Sequence, residues 1–161
     1  TTLLLLRHSI PERGGSSPDP GLSAEGLQRA AAVFQNDAFR TVSLVWSSPS
    51  LRALQTAQLL GLPVRQDTAE RRTGDTTGQD ASFWKRQYED PDFKNPDGES
   101  FREVSARMAD CIHELLDSLP EEQNALVVSH AAAICSYLQR FCTVEVTDAA
   151  QKLRRLTFQG E

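Results

Sequence analysis

The chain of 161 residues contains three histidines, and two of them close the same kind of stretch. LLLLRHS (3–9) runs four leucines into Arg7 and His8. ALVVSHA (125–131) runs an apolar segment into Ser129 and His130. A third junction, WSSPSLR (46–52), follows the β-branched apolar run VSLVW and places Arg52 in the first turn of a helix. Singly, these residues are ordinary. A charged pair often marks where a buried strand surfaces, a strand-end histidine commonly only donates or accepts a hydrogen bond, and a helix arginine is commonly solvated. Together, two arginines, two imidazoles and two helix N-termini make an anion-seeking site. Arginine forks match phosphate oxygens two at a time. Helix N-termini add free N–H groups and a favourable dipole. A neutral imidazole is a good nucleophile near pH 7. A dianionic phosphoryl group could be held and attacked there.

These residues meet only if the elements carrying them share an edge. LLLL (3–6) is short, apolar and bounded by a turn signal, which reads as a buried strand with both faces covered. PERGGSSPDPG (11–21) is a turn-rich loop. Ser23 caps a helical segment with Glu25 in its first turn. VSLVW (42–46) is a second strand, and SSPSLRALQTAQLL (47–60) a helix with Ser48 as N-cap, Pro49 at its first position and Gly61 as its stop. LPVRQ is a short third strand.

Residues 71–98 read as irregular, with Phe83, Trp84, Tyr88 and Phe93 placed to anchor them to a core. Ser100 and Glu103 form a capping box. Phe101, Val104, Met108, Ile112, Leu115 and Leu119 then recur at helical spacing, with His113 on the solvated side. An apolar strand at 125–128 runs straight into a helix, and KLRRLTF (152–158) is a last strand. Strands alternating with helices mean an α/β sandwich with a mostly parallel sheet. In such a sheet the three junctions share one edge, where ligands sit. That edge gathers Arg7, His8, Arg52 and His130.

Composition narrows the function. Apolar content is 39%, charged content 24% and net charge −5, ordinary for a globular protein and poor for nucleic-acid binding. No stretch approaches a membrane span, and no charged-then-apolar leader pattern opens the chain. Cys111, Cys135 and Cys142 have no metal-type spacing and cannot all pair, so reduced thiols and a cytoplasmic location are expected. No metal or other cofactor is expected.

The chain resembles the histidine phosphatase superfamily, with its phosphoglycerate-mutase-like fold. The matching stretches are LLRHS, LSAEGLQRA (22–30), SSPSLRALQTA (47–57), ERRTGDTTG (70–78), GESFREVSARM (98–108) and VVSHA, spread over nearly the whole chain in the family's order. The resemblance implies a single three-layer α/β/α domain over 1–161 with a cap-like insertion at about 71–98. It implies that His8 is phosphorylated during turnover and that Arg7, Arg52 and His130 bind the phosphoryl group, His130 counting among the catalytic groups. It places the general acid at Glu70, with Asp75 and Asp80 as the alternatives.

The implied activity is metal-independent hydrolysis of a small phosphorylated metabolite. A phosphoprotein, phosphohistidine proteins included, is the alternative substrate, and a non-catalytic phosphate-ligand sensor is the alternative role. A mutase is disfavoured by the short chain, although Arg71 and Arg72 could hold a substrate carboxylate. Two departures bear on the site: Ser9 and Ala131 stand where the family shows glycine after each histidine. Glycine permits close backbone approach, so altered geometry around the phosphate is expected.

Overall fold

The computed structural model describes residues 1–66 and 81–159. The chain divides into two compact units, Thr1–Glu70 with Cys111–Ala131, and Arg71–Asp110 with Ala132–Glu161.

The first unit is built on a parallel sheet of β1 (Leu3–Arg7), β2 (Val42–Ser47), β3 (Val64–Gln66) and β4 (Asn124–Ser129), in the order β1-β4-β2-β3. Strand β4 is central, and Ala125 through Val128 have 0% exposure. A strand flanked on both sides and covered on both faces has no solvent side to assign to polar residues, which is why ALVV does not alternate. The leucines of β1 were expected to be equally buried; they are half-buried, because β1 lies at the edge of the sheet. Val45, Leu126, Val128, Ala53 and Ala57 form the core of this unit.

Helix α1 (Ala24–Val33) is capped as its sequence predicts, the Ser23 hydroxyl accepting from Gly26 N at 3.0 Å. Helix α2 (Leu51–Gln58) starts later than expected. Ser50, not Ser48, is its N-cap and makes no side-chain cap bond. The Ser48 hydroxyl instead faces His130, a competition that sequence spacing does not reveal. Gly61 has φ +86°, the left-handed conformation that ends a helix at little cost only for glycine.

Strand register does most of the positioning. Arg7 pairs with Ser129 and Ser47 with Val128. The ladder continues one residue past the strands: His8 N donates to Ser129 O at 2.9 Å, and Ser48 N to Val128 O at 3.0 Å. Residues 8, 48 and 130 are thereby set side by side. The loop after His8 is fastened to the start of α1, with Ser23 N donating to Ile10 O at 3.0 Å and Glu12 N to Gly21 O at 2.8 Å.

The second unit contains α3 (Ala81–Glu89), part of α4 (Phe101–Ser118), most of α5 (Ala131–Leu138), and an antiparallel pair, β5 (Cys142–Asp148) and β6 (Leu153–Phe158). Helix α3 lies inside the stretch read as irregular and corrects that reading over 81–89. Strand β5 was not expected, although CTVEVTD alternates cleanly, and β6 belongs to this pair rather than to the parallel sheet. The capping box forms in both directions: Glu103 N donates to Ser100 Oγ at 3.2 Å, and Ser100 N to Glu103 Oε2 at 2.9 Å.

The aromatic residues of the 81–98 region do anchor it. Tyr88 meets Phe101 edge-on at 4.6 Å, and Arg154 donates to the Tyr88 hydroxyl at 2.6 Å while lying over Trp84. His113 is exposed, as its place off the apolar stripe predicts. Cys111, Cys135 and Cys142 are buried, and none of them is in a disulfide. Among the described residues, no helix is long and apolar enough to cross a membrane.

Among the described glycines, Gly26 of the first unit carries the closest approach, because a Cβ there would run into the Ile10 carbonyl. Gly26→Ala is expected to destabilise the protein by about 1–3 kcal/mol, the usual effect of forcing one extra carbon into a packed site. Urea unfolding measures it, and an unchanged midpoint would show that loop and helix separate freely.

Candidate active site

The structure brings His8, Arg52 and His130 together at the C-terminal edge of the parallel sheet. The two imidazoles stand edge to face with centroids 5.1 Å apart. Arg52 bridges them: Nε donates to His8 Nε2 at 3.3 Å, and Nη2 to His130 Nδ1 at 3.3 Å. Those two nitrogens form the side-on fork of the guanidinium, the edge that matches two phosphoryl oxygens. Arg7 ends β1 and is exposed; its charge acts on both imidazoles.

Hydrogen bonds assign the tautomers. The Ser9 carbonyl lies 2.7 Å from His8 Nδ1 and can only accept, so Nδ1 carries the proton and Nε2 the lone pair. Arg52 can only donate, so His130 Nδ1 is the acceptor and Nε2–H donates to the Ser48 hydroxyl at 2.9 Å.

Electrostatics keep both rings neutral. Burial lowers the His8 pKa below 6.5; the bond to the Ser9 carbonyl opposes this, and the charges of Arg52 and Arg7 add to it. Burial, then Arg52, His8 and Arg7, push His130 down to about 3. Neutral imidazoles leave Arg7 and Arg52 as the cations of the site among the described residues and leave a lone pair on His8 Nε2 at neutral pH.

Ser9 does not crowd this centre. Its hydroxyl turns away and donates to Gly26 O at 2.7 Å, and its backbone N–H donates to Thr56 Oγ1 at 3.0 Å. Ala131 opens α5 directly after His130. Three contributors escaped the sequence reading. Ser48 sits in a stretch that reads as a helix cap, Thr56 looks like an ordinary helix residue, and Asp19, 3.8 Å from Arg52 Nη1, lies in a run that reads only as a turn. Glu70, Asp75, Asp80, Arg71 and Arg72 lie outside the described residues. Among the described residues, no three His, Cys, Asp or Glu side chains gather as metal ligands would.

Residues 3–155 match the family model of the histidine phosphatase superfamily (branch 1), and the chain belongs to that superfamily. Among curated proteins it is 29% identical over 156 residues to 6-phosphofructo-2-kinase/fructose-2,6-bisphosphatase 1 of Mus musculus, covering 87% of this chain and 32% of that protein. It is 32% identical over 135 residues to a probable phosphoglycerate mutase of Cronobacter sakazakii, covering 74% of this chain and 62% of that protein. The chain thus spans about a third of the bifunctional relatives it matches. Among solved structures, the native mycobacterial glucosyl-3-phosphoglycerate phosphatase superposes with a TM-score of 0.75 at 26% identity, over 97% of this chain and 86% of that one. The fold is therefore the α/β fold of the phosphoglycerate-mutase-like histidine phosphatases.

Neutral burial of two histidines has a thermodynamic consequence. Both bind protons more weakly in the folded than in the unfolded state, so the unfolded chain holds more protons below pH 6.5. Stability is expected to fall as pH drops from 6.5 to about 5, above the range where carboxylates titrate, and to be flat above 6.5 on their account. Denaturant titrations of wild type and His130→Asn test this. The variant should show a shallower slope, and an unchanged slope would place the His130 pKa near its ordinary value.

Proposed function

We propose that the protein is a metal-independent phosphomonoester hydrolase that works through a phosphohistidine on His8, acting on a small phosphorylated metabolite. The observation that carries this reading is the His8 Nε2 lone pair, fixed by the Nδ1–H bond to Ser9 and set beside the fork of Arg52. Family membership supports it, as do relatives whose names specify fructose-2,6-bisphosphatase and glucosyl-3-phosphoglycerate phosphatase. A cytoplasmic location belongs to the proposal, and three cysteines outside any disulfide support it.

In the first step a phosphoryl dianion draws the Arg52 fork onto two of its oxygens and frees His8 Nε2. The lone pair attacks phosphorus in line. The bond from phosphorus to the leaving oxygen breaks, and Glu70, as the general acid, protonates that oxygen. Positive charge developing on the His8 ring is met by the Ser9 carbonyl at Nδ1–H. Arg7 and Arg52 are the cations available to the spread-out charge on the transferring oxygens, and His130 joins them by exchanging its Nε2–H bond to Ser48 for one to a phosphoryl oxygen. In the second step water attacks phosphorus, the N–P bond breaks, Glu70 takes the water proton, and orthophosphate leaves.

Rapid-quench labelling during turnover of p-nitrophenyl phosphate, with chelator present, tests the intermediate. Protein-bound phosphate should be acid-labile and alkali-stable, and absent from His8→Ala. Full labelling of that variant would overturn the assignment. Arg52→Lys should lose on the order of 10²-fold in rate or more, since an ammonium cannot reproduce a fork. Vanadate binding without turnover of any phosphomonoester would favour the non-catalytic sensor.

Glu70→Gln tests the acid. An alkyl alcohol needs a proton to leave, whereas p-nitrophenolate does not. Single-turnover rates on alkyl phosphates should therefore fall by roughly 10²-fold or more, and on p-nitrophenyl phosphate much less. Equal losses would move the role to Asp75 or Asp80.

A further inference from the structure

The Arg52 guanidinium has a third partner that takes no part in the chemistry described above. Both oxygens of Asp19 lie 3.1 Å from Leu51 N, the first amide of α2. The helix's own cap residue leaves that amide free, so a carboxylate from the β1–α1 loop takes the place of the cap. Asp19 Oδ1 also lies 3.8 Å from Arg52 Nη1, the nitrogen that touches neither imidazole. Each nitrogen of the guanidinium thus has its own partner: His8 at Nε, His130 at Nη2 and Asp19 at Nη1. Among the described residues, Asp19 is the only carboxylate paired with Arg52.

The pair is not a large source of stability. Asp19 is 52% exposed and Arg52 27%, so water screens the attraction and the net gain is small. Orientation is another matter. When a phosphoryl group arrives, the Nε and Nη2 bonds to the imidazoles must be exchanged for bonds to phosphoryl oxygens. The Nη1 contact, alone of the three, need not change.

We propose that Asp19 is a positioning residue for Arg52: its carboxylate, held by the Leu51 amide, keeps the Nη1 corner turned away from the histidines so that the side-on fork stays on the phosphate-binding face. The geometry stands by itself, and its effect on rate rests on the hydrolase reading above.

Asp19→Asn separates this role from capping, because the amide oxygen still accepts from Leu51 N while the charge facing Arg52 is gone. The first arm needs no turnover. Side-chain ¹⁵N relaxation of Arg52 Nε–H should give an order parameter near the rigid-backbone value of about 0.85 in wild type and below about 0.6 in Asp19→Asn, with the Leu51 amide unchanged. An Arg52 equally rigid in both proteins would overturn the proposal.

The second arm is a double-mutant cycle with Arg52→Lys, read as kcat on p-nitrophenyl phosphate and as affinity for vanadate. Asp19→Asn alone should lower both by about tenfold or more, within the range expected for a misaimed catalytic group. In the Arg52→Lys background it should change either by less than about twofold, since its effect passes through the guanidinium. Equal losses in both backgrounds would mean that Asp19 does not act through the Arg52 guanidinium, and would overturn the proposal. If wild type turns over no phosphomonoester, the hydrolase reading falls while the relaxation arm still decides the role of Asp19.

Discussion

One guanidinium shared by two neutral imidazoles is the interaction on which the site depends. Arg52 can bridge His8 and His130 because both rings leave strands hydrogen-bonded to each other, and because α2 begins at the neighbouring strand end. A one-residue slip of β1 against β4 would turn His8 to the opposite face of the sheet and break the bridge. The buried run Ala125–Val128 makes that slip expensive, since it is central and paired on both sides. The apolar pattern that seats β4 therefore also fixes the spacing of the chemistry, and the core and the site are two results of one register.

Electrostatics work in the same direction. Burial alone would make an imidazole a poor cation, and two arginines beside it make it poorer. Their combined effect is a pair of neutral rings in a positively charged setting. That is what an anionic ligand and a nitrogen nucleophile both require. The Ser9 carbonyl is the counterweight. It opposes the fall in the His8 pKa and leaves Nε2 as the nitrogen with the lone pair.

Much of this was legible in the chain, for identifiable reasons. The two apolar runs ending in histidine, the helix that carries Arg52 and the reciprocal Ser100–Glu103 cap are local patterns, and each formed as such. What stayed hidden was decided by contacts distant in sequence. Ser48 looks like a cap until His130 is placed beside it, 82 residues away, and its hydroxyl goes to the ring. The burial of the four leucines of β1 depends on strand order, which composition does not encode. Strand β5 alternates in CTVEVTD but begins only a few residues after α5 and pairs antiparallel with β6, apart from the parallel sheet that the strand–helix alternation predicts. The departures at Ser9 and Ala131 point to a retained phosphate pocket of altered geometry, with crowding one way either side chain could act. Ser9 avoids this because the Gly26 carbonyl lies within reach of its hydroxyl, a contact that needs the close approach only glycine allows there.

The Arg52 bond to His8 Nε2 has a consequence for chemical selectivity. The His8 Nε2 lone pair is masked by Arg52, the same group that on the proposed reading would recruit the ligand. An uncharged electrophile, such as an acyl donor or an alkylating agent, has nothing with which to draw the arginine aside, and it meets a nitrogen already engaged. On the proposed reading, a dianion would unmask the nucleophile in the act of docking. Under the proposed mechanism, admission to the reaction is therefore conditional on charge, and a strong nucleophile can be kept in a crowded cellular milieu without being spent on the wrong partner.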